Sequence, residues 1–535
     1  MGSWILAIDL GSGGPKVAVV GLDGRIRGTG LTPVSVHIGR DGAATQDAAE
    51  WTDALITAVG SALESSGADP HDLHAVGITG QWGSSVPVGE DGEPVGPVLM
   101  WADTRARDHM KDVIGGRFSV QGIAPHKALP WVRITGGAPS TNGADPTGHA
   151  LLLQHELHEI GRRCSVVLEP VDYLAFRLTG RAVATPASMV LSWLTDNRPG
   201  AEPGYHPDLI VRARRNPQWL PELVPTGSVQ GTLQPEIADR LGLVPGAPVV
   251  TGIPDLHAAI VGSGSVEPYG THLAVSTTAW LSARVPFKKT DVLHSIATLP
   301  GLDPQFNLVG DNIETGGAAL AWLREQIIAP HDGLAGGGSG IGAAGAAAVA
   351  DPPSYDEIIA LAERVPPGCE GVLFAPWLAG ERSPVDDRLI RGTWLNLSLR
   401  TDRSVLVRSV LEGVALNIRW LFDSYQKFLR QQVRSIRILG GGAQSDLWCS
   451  IISGTLGVRI EQVDDPLNAQ LRGVALWARV CLGELTLHQA AALVPVAQQF
   501  TPDPRDVRTY DQNYREYRRL YGTVKGLYHR LNADL

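Results

Sequence analysis

The sequence predicts an α/β protein divided between two domains, and three observations carry that prediction. The chain has 535 residues, more than a single hydrophobic core normally organises. Its first eighty residues read as a three-strand meander that passes into a helix and another strand. A second β-rich run begins near Gly270 and leads, further on, to a strand that ends in glycines before a helix.

The elements follow in chain order. Trp4 to Asp9 and Lys16 to Val20 are strands, Leu22-Asp23-Gly24 is a hairpin turn, and Ile26 to Val34 is a third strand. Ala48 to Leu63 has helical spacing, and Leu73 to Thr79 is an apolar strand. A short apolar run, Ala247 to Val250, precedes a helix that opens near Asp255. Thr271 to Val285 is β-rich around a Thr-rich turn, Val405 to Phe428 is a long helix, and Ser435 to Leu439 is a strand entering Gly440-Gly441-Gly442. The Gly/Ala/Ser tract 333–350 is read as a mobile surface insertion, because it offers little apolar surface to offset ordering entropy. The expected division is an N-terminal domain over 1–265, a C-terminal domain over 266–500 and a helical tail over 501–535.

Composition narrows the function classes. Hydrophobic residues make up 44% and charged residues 19% of the chain, the balance of a soluble globular protein. A net charge of −10 gives no footprint for nucleic acid or for an anionic membrane, so small molecules are the expected partners. No uninterrupted apolar run reaches the roughly 18 residues of a membrane span. The N-terminal MGSWILAIDLG has no basic leader and carries an Asp, which reads as a buried strand rather than an export signal. Cys164, Cys369, Cys449 and Cys481 are scattered without a CxxC pair, so a reducing cytoplasm is the expected setting. His155-Glu156-Leu157-His158 lacks the HExxH order of a zinc site.

Four segments carry chemistry. Asp9-Leu10-Gly11-Ser12-Gly13-Gly14-Pro15-Lys16 places a carboxylate, a hydroxyl, three glycines and a cation in one tight loop. Gly11 and Gly13 let backbone N–H groups approach phosphate oxygens, Ser12 and Lys16 can bind them, and Asp9 can hold a hydrated Mg2+. It lacks Walker A spacing and, taken alone, is equally a Gly-rich hairpin. Asp255 follows a short strand and suits either a catalytic carboxylate or a plain helix cap. An unperturbed Asp is ionised at neutral pH, so it needs no tuning to act as a base. Gln81 and Trp82, with Trp101 and Asp103, put amide, indole and carboxylate groups at the ends of two apolar strands. That palette suits a polyhydroxylated substrate, whereas the tryptophans serve equally as core and Asp103 with Arg105 as a surface ion pair.

Taken in order, these segments resemble the FGGY family of carbohydrate kinases over most of the chain, in appearance nearest the xylulose kinases. Asp9 to Lys16 is similar to the family's first phosphate segment, with Ser12 in place of Thr. Asp172-Tyr173-Leu174-Ala175-Phe176-Arg177-Leu178-Thr179-Gly180 resembles its DYLxxRLTG segment, and Pro376 to Pro384 its PYLxGERxP segment. Ser276-Thr277-Thr278-Ala279 stands where the second phosphate turn occurs, and Gly440-Gly441-Gly442-Ala443-Gln444-Ser445 resembles the adenosine segment.

The resemblance implies two ribonuclease-H-like domains of the actin type, with ATP and Mg2+ in the cleft between them. It implies Asp255 as the catalytic base and Asp9 and Asp255 beside the metal. Gly11, Ser12, Gly13, Lys16, Thr277, Thr278, Gly316, Gly441, Gly442, Ala443 and Ser445 are expected at the nucleotide. Gln81, Trp82, Trp101, Asp103 and Asp255 are expected at the sugar. Gly83 departs from the His common among xylulose kinases, and the Arg-Glu pair of glycerol kinases is missing. The implied activity is phosphorylation of a ketopentose such as xylulose, with ribulose, glycerol, erythritol and gluconate as alternatives. The assembly is left open, with a homodimer as one form. An actin- or Hsp70-like ATPase and a non-catalytic sugar-binding regulator are the readings from other classes.

Overall fold

The computed structural model describes residues 2–119, 122–198, 200–291, 296–329 and 352–533. The insertion predicted over 333–350 lies outside them.

The first sheet is built from β1 (Trp4–Gly11), β2 (Gly14–Gly21), β3 (Ile26–Leu31), β4 (Leu73–Gly80), β5 (Val229–Thr232) and β6 (Pro248–Val250), with β7 (Ile253–Pro254) beside β4. Its order is β5-β6-β4-β1-β2-β3. The meander β1-β2-β3 is antiparallel, while β4 and then β6 add in parallel. Helix α1 (Ala48–Ser66) starts where the Asp47 carboxylate accepts the Ala49 N–H, and it buries Trp51, Leu55, Val59 and Ala62 at helical spacing. With α2 (Pro170–Thr179) and α3 (Pro235–Leu241) it covers the outer face of this sheet. Helix α4 (Asp255–Gly262) leaves β7 on the opposite side.

The second sheet repeats the plan. It contains β8 (Thr271–Val275), β9 (Ala279–Val285), β10 (Thr290–Asp291), β11 (Ile296–Pro300), β12 (Asn307–Ile313), β13 (Ser435–Leu439), β14 (Arg459–Val463) and β15 (Val496–Phe500). The order is β10-β11-β12-β9-β8-β13-β14-β15. Again an antiparallel trio, β8-β9-β12, is extended in parallel by two strands and closed by an antiparallel edge. The recurrence read from the sequence near Gly270 is therefore a repeat of topology. Helices α5 (Arg403–Leu429) and α6 (Asp446–Leu456) cover its outer face.

Between the sheets, α4 crosses α7 (Ala469–Cys481) in a shared core with Ile5, Ala7 and Ala18 of the first sheet and Ala274 and Leu439 of the second. A Cβ at Gly262 would lie 1.8 Å from the Ala469 carbonyl, and one at Gly473 2.0 Å from that of Ala258. Only glycine permits this backbone approach. The Leu22 and Gly24 carbonyls of the β2–β3 turn accept from Arg479 and Arg472 of α7, tying the first lobe to the second. At the rim, Lys288 donates to the Ile134 and Asn197 carbonyls. The last helix, α8 (Pro504–Leu531), buries Tyr510, Tyr514, Tyr517 and Leu520, with Tyr510 bonded to the internal Arg408–Glu412 pair of α5.

Candidate active site

Strand register brings two carboxylates to one edge of the first sheet. Asp9 of β1 lies opposite Lys16 of β2 and beside Thr79 of β4, while Ile253 of β7 flanks the same Thr79 from the other side. Asp255 follows two residues later. Both therefore sit at the carboxyl ends of parallel strands, where open α/β sheets hold their ligands.

Helix capping does not account for Asp255. Pro254 occupies the cap position, and among the described residues the carboxylate takes only the N–H of its neighbour Leu256, at 2.7 Å. Burial, and after it the charge of Asp9, push Asp255 up to about 7, with the Leu256 N–H opposing. Burial also raises Asp9, which is 8% exposed, and Lys16 pulls it back. The expectation of an untuned Asp at this position is thus corrected. Removing solvent from two like charges at one strand edge disfavours the ionised forms.

Three turns supply backbone donors. Among the described residues no protein acceptor takes the N–H groups of Ser12 and Gly13 in the β1–β2 turn, of Thr277 and Thr278 in the β8–β9 turn, or of Gly441 and Gly442 after β13. Nothing lies within 4 Å of a Cβ placed on Gly13 or Gly441. The turns are joined: Lys16 Nζ donates to the Leu467 carbonyl at 3.0 Å, and the Gly440 N–H to that of Pro466. Gly316 and Gly317 close on the second turn, their N–H groups donating to the Thr277 and Ser276 carbonyls. A Cβ on Gly316 would lie 2.5 Å from the Thr278 carbonyl carbon. Gly316→Val is accordingly expected to displace this turn and lower the melting temperature, since overpacking of this kind typically costs about 1–3 kcal/mol.

Other residues of the last turn have structural duties. Ser445 Oγ accepts the Trp448 N–H as the cap of α6, and Ala443 is fully buried, its carbonyl accepting from Gln462 Nε2. A backbone role suits Ala443, and the Ser445 oxygen caps the helix as an acceptor.

Beside the Ser12 turn, Trp101 is 45% exposed and its indole N–H donates to Ser12 Oγ at 3.1 Å. Trp82 donates to the Ser188 carbonyl and stands edge-on to His257 at 5.8 Å. Gln81 Oε1 accepts from Ser84 Oγ at 3.1 Å and from Ser12 Oγ at 3.5 Å. Asp103 differs from these three. It is 1% exposed and accepts from the Ala44 N–H, the Arg105 N–H and the Arg105 guanidinium. The alternative of a surface ion pair is corrected: Asp103 and Arg105 form an enclosed brace, and in this geometry both Asp103 oxygens accept hydrogen bonds from the protein.

Two side chains emerge only from the structure. Glu169 holds the Gly83 N–H at 3.0 Å, and Gln46 bonds both Ser12 and Gln81. Neither carries a local sequence signal, since Gln46 precedes the Asp47 cap of α1 and Glu169 precedes α2, and each reads as a polar boundary residue.

Comparison with known proteins identifies the family. The N-terminal domain model of the FGGY family of carbohydrate kinases matches residues 4–135, and the C-terminal domain model matches 274–482. A xylulose kinase of Staphylococcus epidermidis is 24% identical over 543 residues, covering 99% of this chain and 98% of the relative. Among solved structures, a gluconate kinase and a ligand-bound xylulose kinase, both from Lactobacillus acidophilus, each superpose with a TM-score of 0.82 at 19% identity. Each alignment covers 99% of this chain, with 99% of the gluconate kinase and 100% of the xylulose kinase.

Proposed function

The chain belongs to the FGGY family of carbohydrate kinases and is a sugar kinase, and from that premise we propose that it transfers the γ-phosphoryl group of ATP to a hydroxyl of a ketopentose such as xylulose, with Asp255 as proton acceptor. The observation that carries this reading is the pairing of Asp255 with Asp9 at one strand edge, together with six amides in three turns that have no protein acceptor among the described residues.

Phosphoryl transfer passes through a loose transition state, so the protein's work is positioning and charge stabilisation. The Ser12, Gly13, Thr277 and Thr278 amides orient phosphate oxygens, with Gly441 and Gly442 supplying donors from the third turn. Lys16 is held by the Leu467 carbonyl, which leaves its ammonium able to turn toward phosphate. Asp255 accepts the proton of the attacking hydroxyl at its carboxylate oxygens, one of which has no protein donor among the described residues. Asp9 receives no hydrogen bond from the protein among the described residues, and with Asp255 it makes a pair of hard oxygen donors that suits Mg2+. Bound there through water, the ion would neutralise phosphate charge.

Trp101 offers an exposed aromatic face and Gln81 an amide, the groups that cover and bond a polyhydroxylated ring or chain. The relatives support a ketopentose first and a sugar acid second, since xylulose kinases align with nearly the whole chain and a gluconokinase of Bacillus subtilis with 69% of it. A cytoplasmic setting belongs to the same reading and is supported by the four unbridged cysteines. The test is a coupled assay of ADP release across pentuloses, hexuloses, polyols and gluconate. Xylulose is expected to give the highest kcat/KM. Strong release with gluconate and none with any ketose would replace the ketopentose by the sugar acid, and release independent of every sugar would refute the acceptor assignment.

A further inference from the structure

Gln46 ends a short strand, Ala44–Gln46, one residue before the cap of α1, and no step above uses it. It is 1% exposed, and both ends of its amide are spent across two different loops. Nε2 donates to the Ser12 carbonyl at 2.8 Å, and Oε1 accepts from Gln81 Nε2 at 3.0 Å. Gln81 Oε1 accepts in turn from Ser12 Oγ, which also takes the Trp101 indole N–H. The result is a closed ring: Ser12 carbonyl, Gln46, Gln81, Ser12 hydroxyl.

The Ser12 carbonyl belongs to the same planar peptide as the Gly13 N–H, and in a trans peptide the two point in opposite directions. Fixing the carbonyl against buried Gln46 therefore aims the Gly13 N–H away from it, and nothing lies within 4 Å of a Cβ placed on Gly13. A buried amide left without partners is costly, so the ring moves as a unit rather than bond by bond.

We propose that Gln46 is a positioning residue that couples the two ligand sites. Seating a sugar against Gln81 and Trp101 fixes the ring, and the ring fixes the peptide whose N–H receives a phosphate oxygen. The inference deepens the proposed function and rests on it. The ligands it links are a polyhydroxylated sugar and a nucleoside polyphosphate.

The test is calorimetric titration of Mg2+-ADP into the full chain, with and without saturating xylulose, for wild type, Gln46→Met and Gln46→Glu. The wild type is expected to bind ADP about fivefold or more tightly with xylulose present, an ordinary size for coupled sites. Gln46→Met keeps the volume and loses both bonds. Gln46→Glu keeps the acceptor for Gln81 and sets a carboxylate against the Ser12 carbonyl. Both are expected to bring the ratio to within about twofold of unity. Should Gln46→Met fail to fold, Gln46→Glu, nearly identical in shape, decides alone. A residue that only supports the fold would weaken both ligands together and leave the ratio at its wild-type value, which would overturn the inference, as would a wild-type ratio of one. Absence of xylulose binding to the wild type would instead strike the substrate reading itself.

Discussion

Asp255→Asn is expected to lower sugar-dependent turnover by about 10²–10⁴-fold, the usual contribution of a positioned general base, while ADP affinity changes only a few-fold. The amide has nearly the shape of the acid and can still meet the Leu256 N–H, but it cannot accept the hydroxyl proton. The substitution should also raise stability. An acid held above its ordinary pKa by burial and by Asp9 is less favourable when ionised in the fold than in the unfolded chain. Its cost therefore grows from the ordinary carboxylate range upward and is complete above about 7. Asn carries no such charge. The metal-free variant is expected to melt above the wild type at pH 8, and the gap to narrow toward pH 5. A scanning-calorimetry comparison at the two pH values checks the sign, and steady-state assays check the loss of turnover.

Gly473→Val should be nearly as damaging without touching a ligand. A Cβ there would stand 2.0 Å from the Ala258 carbonyl and 2.7 Å from the Gly262 nitrogen, all rigid backbone. The two helices must move apart, and overpacking of this kind typically costs about 1–3 kcal/mol, more where only backbone can yield. Because α4 begins with Asp255, its displacement also shifts the carboxylate from the strand edge. Misplacement by about 1 Å is enough to cost roughly 10²-fold in rate. Melting temperature and kcat are therefore expected to fall together, and a variant that keeps both would show that the crossing tolerates separation.

The strands of the first lobe and the acidic positions were legible in the sequence for a simple reason: local pattern decides them. Trp4 to Asp9 is an unbroken apolar strand with a carboxylate at its end, and Ser435 to Leu439 is a strand to the residue. The glycine turns were equally visible, because only a few residue types allow a backbone amide to face a phosphate. What stayed hidden depends on packing between segments far apart in the chain. Asp103 and Arg105 are two residues apart in sequence whether the pair is exposed or enclosed; the strand that carries Ala44 makes it an enclosed brace. Asp255 looks untuned until the fold buries it and lays Asp9, from the far end of the same domain's sequence, beside it. Gln46 reads as a polar residue before a helix until the fold delivers Ser12 and Gln81 to its two ends. The glycines of α4 and α7 carry no motif and gain their meaning only where the helices cross.

The account turns on a phosphoryl group passing to a sugar hydroxyl whose proton goes to Asp255. Phosphorus NMR of ATP, Mg2+ and xylulose with the wild-type chain, beside the same mixture with Asp255→Asn, reads that transfer directly. A new phosphomonoester resonance should grow in step with ADP in the wild-type sample and be absent over the same interval with the variant. Inorganic phosphate as the sole product of the wild type, or equal growth of the ester with the variant, would contradict the account.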